Sequence, residues 1–167
     1  MNPPLNQQKK NSKPIELLLH IPVPWVFVLS FLVGLVPQIF FPIHIRSHET
    51  ILFIKIAGIS LFVIGAIFAA WSLIIFHKAK TTTTPGEISK KLIVSGPYRL
   101  TRNPMYISLT LAYLGEAGFL IQTWPLVVLP FTLAYINWIV IPLEEDLLKK
   151  EFNEEYENYC NKVHRWI

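Results

Sequence analysis

The chain has 167 residues, of which 52% are hydrophobic and 16% are charged, against roughly 25% charged in an average soluble domain. This composition excludes an ordinary soluble globule, and the length predicts no separate soluble catalytic domain. The formal net charge is +4 at pH 7. Its basic residues are divided among short segments between apolar blocks, so they lack the continuous basic face of a nucleic-acid binder. They suit anionic lipid headgroups instead, and the partners we predict are membrane lipids and no nucleic acid.

Three apolar blocks predict the transmembrane helices. Ile21 to Pro42 and Ile56 to Phe76 contain no Asp, Glu, Lys or Arg, and Asn103 to Leu143 contains only Glu116. About 20 apolar residues cross a bilayer, so the first two blocks predict one span each and the third predicts two. The sequence therefore predicts an all-α integral membrane protein with about four transmembrane helices.

The segments between the spans divide the predicted single membrane domain, 1–167, into parts. Asn103 and Pro104 are suited to begin a helix, as cap and first helical residue, and Pro142 marks the predicted exit of the last span. Apolar residues then recur at helical spacing from Leu148 to Val163, which indicates an amphipathic C-terminal helix at the membrane interface. The predicted parts are an N-terminal tail (1–20), the first two spans (21–77), a connector (78–102), a hairpin of spans three and four (103–142), and an interfacial helix with tail (143–167).

Basic residues predict the orientation. Lysines precede the first span, six Lys and Arg residues lie in 78–102 and four in 143–167, whereas the connector after the first span carries only Arg46. The positive-inside rule then places both termini and the 78–102 connector in the cytosol.

Polar residues gather at the predicted cytosolic edge, around Tyr98, Arg99, Arg102 and the pair Glu144 and Glu145. Because a hairpin returns its two ends to one membrane face, we expect these groups to meet. Polar groups beside an apolar bundle are costly unless paired, so arginine–glutamate pairs with a purely structural role are an alternative. The sequence has no Gly-rich phosphate loop, and its single Cys160 cannot form an internal disulfide.

The order of these motifs resembles the membrane methyltransferases, the superfamily of isoprenylcysteine carboxyl methyltransferase and the phospholipid N-methyltransferases. The resemblance covers roughly Lys80 to Arg165. It rests on Gly96-Pro97-Tyr98-Arg99, Arg102-Asn103-Pro104-Met105-Tyr106, Tyr113-Leu114-Gly115, Glu144-Glu145 and the tail with Arg165.

The resemblance implies a methyltransferase that uses S-adenosylmethionine and acts on a lipophilic substrate from the bilayer. It implies Glu144, Glu145 and Arg165 as catalytic residues and no metal. Asn103 stands where the carboxyl methyltransferases commonly have His, which is more like the phospholipid enzymes, and Ser108 replaces a frequent Gly. The implied cofactor-binding residues are Tyr98, Arg99, Arg102, Asn103, Pro104, Tyr106, Leu114, Gly115, Glu144 and Glu145.

Chemistry leaves the acceptor open. A carboxylate acceptor needs no base and suits the fork of Arg165 or Arg99, whereas an amine must lose a proton, to Glu144 or Glu145. Two other functions stay open: a membrane reductase of the sterol reductase type that uses NADPH, and a non-catalytic membrane scaffold.

Three further residues are weaker candidates. Glu116 is an intramembrane acid that is either functional or placed near the outer interface beside Lys55. His44 and His48 have the spacing of metal ligands on one helix face, but no third ligand is evident.

Overall fold

Five α-helices make up most of the chain that the computed structural model describes, residues 22–43, 47–79 and 91–167. No strand occurs within these ranges, which confirms the predicted all-α fold. The predicted tail 1–20 and residues 80–90 of the 78–102 connector lie outside the described residues. The helices are α1 (Val23–Phe40), α2 (His48–Ala79), α3 (Pro104–Leu120), α4 (Trp124–Tyr135) and α5 (Ile141–Cys160), with a 3₁₀ turn at Gly96–Arg99 and a π turn at Ile136–Val140.

Three helical segments are long and apolar enough to cross a membrane: Val23–Phe40, His48–Lys78 and Trp124–Cys160. Large apolar side chains such as Val33 and Phe53 are exposed on them, as expected of surfaces that face lipid. The protein is therefore an all-α membrane protein. Helix α3 has 17 residues, about 25 Å at the rise of an α-helix, so a fourth crossing stays a prediction.

Small residues bring α2 and α3 together, the most extensive helix contact in the fold. A Cβ atom built on Gly58 would lie 2.5 Å from the backbone nitrogen of Phe119, and one built on Gly115 would lie 2.5 Å from that of Phe62. Real carbon atoms do not approach so closely, so the two backbones touch at positions where only glycine fits. Small residues allow such close approach of two membrane helices.

Helix α1 packs mainly on α4, and hydrogen bonds join them at one end of the bundle. The Trp124 indole Nε1 donates to the carbonyl of Phe41 at 2.7 Å, and the Trp124 backbone nitrogen approaches Gln38 Oε1 at 3.4 Å. The turn between α3 and α4, in which Ile121 adopts a φ of 54°, therefore lies at the Phe41 end.

Helices α3 and α4 are joined by a short turn, as the hairpin prediction requires, but they do not pack along their length. Tyr113 Oη donates to the carbonyl of Pro125 at 2.9 Å near the turn. Farther from the turn, α3 packs on α2 while α4 packs on α1, which leaves a groove between α3 and α4. The two helices of the hairpin separate there because each packs more extensively on a helix outside it.

The chain stays helical through Pro142, where the last span is predicted to leave the membrane. The π turn leads directly into α5, and such a local adjustment lets a helix continue through Pro142, which has no N–H to donate. The break comes later, at Asn153, with φ 44° and ψ −118°. This kink sends Tyr156 and Tyr159 back to pack with Tyr98.

Candidate active site

Glu145 lies between two arginines that come from distant parts of the chain. Arg102 Nη2 is 3.1 Å from Glu145 Oε1. Arg165 binds the same carboxylate through Nε, 3.1 Å from Oε1, and through Nη2. The side chains of Arg102 and Glu145 are only 15% and 20% exposed. The predicted meeting of an arginine with the acid pair is therefore found, with Glu145 as the shared partner.

Glu144, the neighbouring acid, is bound by a phenol. Tyr106 Oη, one turn into α3, donates to Glu144 Oε2 at 2.7 Å. Tyr106 itself is buried. Two carboxylates, two guanidiniums and one phenol thus form a cluster, which we call the acid–arginine cluster. Its residues are Glu144, Glu145, Arg102, Arg165 and Tyr106. Its formal charges sum to zero, as burial beside an apolar bundle requires.

The segment 163–167, which follows α5, is fixed against the loop before α3. Arg102 donates its backbone N–H to the carbonyl of His164 at 2.9 Å. The carbonyl of Arg165 accepts from Thr101 Oγ1 at 2.9 Å and from Asn103 Nδ2 at 3.0 Å. These bonds hold the Arg165 backbone while its guanidinium reaches Glu145. Asn103 stands at the predicted cap position of α3, but its side chain binds Arg165 and does not cap the helix.

Tyr98 supports the cluster from the 3₁₀ turn. It is buried, packs edge-on against Phe76, and accepts at its carbonyl a hydrogen bond of 2.6 Å from Tyr159 Oη. Burial raises the pKa of Tyr98, and the nearby Tyr159 and Glu144 raise it further, so the phenol is neutral at physiological pH. The predicted Pro104 is also buried, as the first residue of α3.

Three predicted cofactor-binding residues do not join the cluster. Arg99 is exposed, and no salt bridge or hydrogen bond of its side chain is found with the described residues. Leu114 packs partly buried against the bundle core, and Gly115 fills the α2–α3 contact. Both lie more than two helical turns beyond Tyr106, about 12 Å along the axis of α3. The structure gives Gly115 a packing role.

The weaker candidates stay apart from the cluster. Glu116 is exposed on α3, and no salt bridge joins it to Lys55 or another described residue. His48 is exposed at the start of α2, and His44 lies outside the described residues. Within the described ranges, no group of three or more His, Cys, Asp or Glu side chains could hold a metal ion.

Sequence reasoning missed three residues that bind the 163–167 segment or line the groove. They are Thr101, which is fully buried, Asn137 in the π turn, and Trp166, whose indole Nε1 donates to Asn137 Oδ1 at 2.9 Å. Asn137 carried a signal, since an amide in an otherwise apolar stretch needs a partner. Thr101 carried none, because its role depends on a contact 64 residues away.

The groove between α3 and α4 ends at Asn137 and Trp166. Its volume is about 450 Å³. Two of its polar atoms are hydrogen-bonded within the protein, since Thr110 Oγ1 donates to the carbonyl of Tyr106 and Asn137 Oδ1 accepts from Trp166. An apolar channel thus runs along the bundle to the edge of the acid–arginine cluster. The groove is lined by Ile107, Thr110, Leu111, Pro130, Leu133, Ala134, Asn137, Trp138 and Trp166.

Sequence similarity assigns this helical membrane protein to a known family. The chain belongs to the phospholipid methyltransferase family, whose model matches residues 53–155. Over 116 residues, 67% of the chain, it is 31% identical to proteins of Oryza sativa subsp. indica and subsp. japonica, each described as a probable protein-S-isoprenylcysteine O-methyltransferase. The match spans 60% of the length of these relatives. No solved structure matches the chain. The superfamily resemblance predicted from the motifs is thereby confirmed.

Proposed function

We propose that this protein is a methyltransferase that uses S-adenosylmethionine to methylate a lipophilic acceptor at the membrane. The main support is Arg102 Nε, which is buried and has no hydrogen-bond partner among the described residues. A buried donor without a partner costs about 1–3 kcal/mol. Beside two carboxylates and at the end of an apolar groove, such a donor indicates that a polar ligand completes the cluster.

The residues present fit this cofactor. It carries a carboxylate, an ammonium group and ribose hydroxyls, and it supplies a methyl group on a sulfonium sulfur. Arg102 Nε would donate to the carboxylate, and Glu144 would accept from the ammonium or a hydroxyl. Tyr106 keeps Glu144 in place through the 2.7 Å bond. Asn103 and Thr101 hold the Arg165 backbone, so the site keeps its shape without moving.

The groove would hold the apolar part of the acceptor. Asn137 and Trp166 lie at one end of the groove, and the backbone carbonyl of Asn137 accepts a hydrogen bond from Arg165 Nη1 at 3.5 Å. An apolar chain in the groove would therefore bring its headgroup to Arg165 and Glu145. Positioning the reactants and excluding water are the main contributions a protein makes to such a transfer.

The acceptor is either an isoprenylcysteine-like carboxylate or a phospholipid-like amine. Arg165 would hold a carboxylate, whereas Glu144 or Glu145 would take the proton of an amine. The name of the matching family suggests a phospholipid, and the names of the two relatives suggest an isoprenylcysteine. Labelled S-adenosylmethionine with N-acetyl-S-farnesylcysteine or phosphatidylethanolamine distinguishes the two acceptor classes.

Calorimetric titration of S-adenosylhomocysteine into the purified full chain tests the proposal. We expect saturable binding that the double variant Glu144→Gln, Glu145→Gln loses. The matched control is Glu154→Gln, Glu155→Gln, the same change at two exposed acids of the same helix; it should bind like the wild type. Binding of NADPH instead would indicate the reductase, and binding of neither ligand to folded protein would favour the scaffold.

A further inference from the structure

Trp166 separates the apolar groove from the acid–arginine cluster. Its partly buried indole lines the groove, while the preceding residue, Arg165, binds Glu145. Neighbouring side chains of one segment therefore face the two halves of the site. An apolar chain in the groove meets the indole just before its headgroup would reach Arg165.

Several hydrogen bonds fix the position of this indole. Trp166 Nε1 donates to Asn137 Oδ1 at 2.9 Å, and the adjacent Arg165 carbonyl accepts from Thr101 and Asn103. Trp166 also packs against the main core of the bundle. An indole that is hydrogen-bonded at its edge and fixed through its backbone has little freedom to turn aside.

We propose that Trp166, held by Asn137, is a positioning residue that sets how deep the headgroup of a lipid acceptor enters the acid–arginine cluster. This inference rests on the proposed function and adds to it the two residues that set the position of the acceptor's headgroup. The occupant is the apolar chain of the acceptor, because most of the side chains that line the groove are apolar and the groove ends at the charged cluster.

Steady-state kinetics with the acceptor that the labelled-cofactor assay identifies separates positioning from binding. In Trp166→Ala the groove walls that α3 and α4 form remain, so we expect KM for the acceptor to change by less than about 3-fold while kcat falls on the order of 10- to 100-fold, the effect of a misplaced reactant. Trp166→Phe keeps a ring at the end of the groove but loses the hydrogen bond to Asn137, so its kcat should lie between those of Trp166→Ala and the wild type. The control Trp25→Ala removes an exposed indole outside the groove and should leave both constants unchanged.

Asn137 supplies a second, milder variant. Asn137→Leu removes the acceptor of the indole N–H and should lower kcat in the same way, whereas Asn137→Asp keeps an acceptor and should recover it. The affinity for S-adenosylhomocysteine should stay within about 3-fold of wild type in all these variants. A loss of cofactor affinity that parallels the loss of kcat would show that Trp166 only supports Arg165, and would overturn the inference.

Photolabelling tests the inference without cofactor or turnover. N-acetyl-S-farnesylcysteine and phosphatidylethanolamine, each with a diazirine at the headgroup end, are irradiated with the wild type and Asn137→Leu in lipid nanodiscs. We expect one of the probes to label the 163–167 segment in the wild type and to label it less in the variant. Labelling spread evenly over the lipid-facing surfaces, or equal labelling by a diazirine phosphatidylglycerol, which has no amine to methylate, would overturn it. Failure of the proposed function appears separately, as a wild type that binds no S-adenosylhomocysteine.

Discussion

Arg102 supplies a positive charge, which pairs with Glu145, and an N–H donor that has no partner among the described residues. Its Nη2 binds Glu145, while Nε is buried without a partner. Lysine keeps the charge but has neither the fork nor the Nε donor. We therefore expect Arg102→Lys to weaken S-adenosylhomocysteine binding about 10-fold, the value of one charge-assisted hydrogen bond. Calorimetry measures the change. Arg99→Lys, the same substitution at an exposed arginine, should bind normally; equal losses in both variants would contradict this assignment of Arg102.

The phenol of Tyr106 is expected to act through Glu144. Tyr106→Phe removes the donor of the 2.7 Å hydrogen bond and leaves a partly buried carboxylate with one partner fewer. We expect a loss of stability of about 1–3 kcal/mol and weaker S-adenosylhomocysteine binding. In a double-mutant cycle with Glu144→Gln, the two effects on binding should not add, because both variants disrupt the same contact. Additive effects in calorimetry would mean that the two residues act independently.

The charged residues of the site could be predicted from the sequence, whereas their supports could not. Arg102, Glu144 and Glu145 stand out because charges are rare beside apolar blocks. Arg99 and Gly115 share the same motifs, yet one is exposed and the other packs between helices. The spacing of a motif shows which residues are close in the chain. Which of these residues face the site depends on how the helices pack, as the contact of α3 with α2 shows for Gly115.

At the level of the helices, the α2–α3 contact leaves no space for a side chain at Gly115. The Cβ of Gly115→Ala would meet the Phe62 backbone at 2.5 Å, so the helices must separate. We expect the variant to unfold about 1–3 kcal/mol more easily, as measured by thermal unfolding in detergent, while the folded fraction binds S-adenosylhomocysteine normally. Gly118→Ala, whose Cβ would lie 3.2 Å from Gly58, should cost less. Lost binding at full stability would instead support the cofactor role that the motif resemblance implies for Gly115.

The kink in α5 depends on the backbone conformation of Asn153. Its positive φ costs an ordinary residue on the order of 1–3 kcal/mol and costs glycine much less. Asn153→Gly should therefore stabilise the protein, and Asn153→Val should destabilise it. Asn158→Gly, in a regular exposed turn of the same helix, should destabilise it by about 1 kcal/mol. Thermal unfolding of the three variants gives the order, and a destabilising Asn153→Gly would contradict the kink.

For the whole molecule, hydropathy predicted the helices but not their arrangement. The apolar blocks predict membrane-spanning helices, because backbone N–H and C=O groups in lipid must be hydrogen-bonded within the protein, and a helix does this within one segment. The α3–α4 hairpin is expected from the short turn, yet each of these helices packs more extensively on α2 or α1. The helix that continues through Pro142 could not be predicted, since proline ends many helices but is tolerated inside a membrane helix where a local π turn adjusts the backbone.

The path of α3 supports a fourth crossing. Helix α3 begins beside Arg102, in the acid–arginine cluster, and ends near Trp124, which is hydrogen-bonded to Phe41 at the opposite end of α1. The helix therefore covers the distance between the two ends of the bundle although it has only 17 residues. Local thinning of the bilayer accommodates a short span at modest cost.

If α2 crosses the bilayer, Ser47 and Ser95 lie on opposite sides of it, and the basic residues predict that Ser95 is on the cytosolic side. Both serines are exposed and lie near opposite ends of α2. In a Cys160→Ser background, Ser47→Cys should react with an impermeant maleimide in intact cells, and Ser95→Cys only after permeabilisation. Thr123→Cys, in the turn after α3, should behave like Ser47→Cys if α3 crosses. If Thr123→Cys reacted only after permeabilisation, α3 would not span the bilayer. The acid–arginine cluster lies on the Ser95 side; in the predicted orientation, the proposed cofactor would reach it from the cytosol and the proposed acceptor would reach it from the lipid.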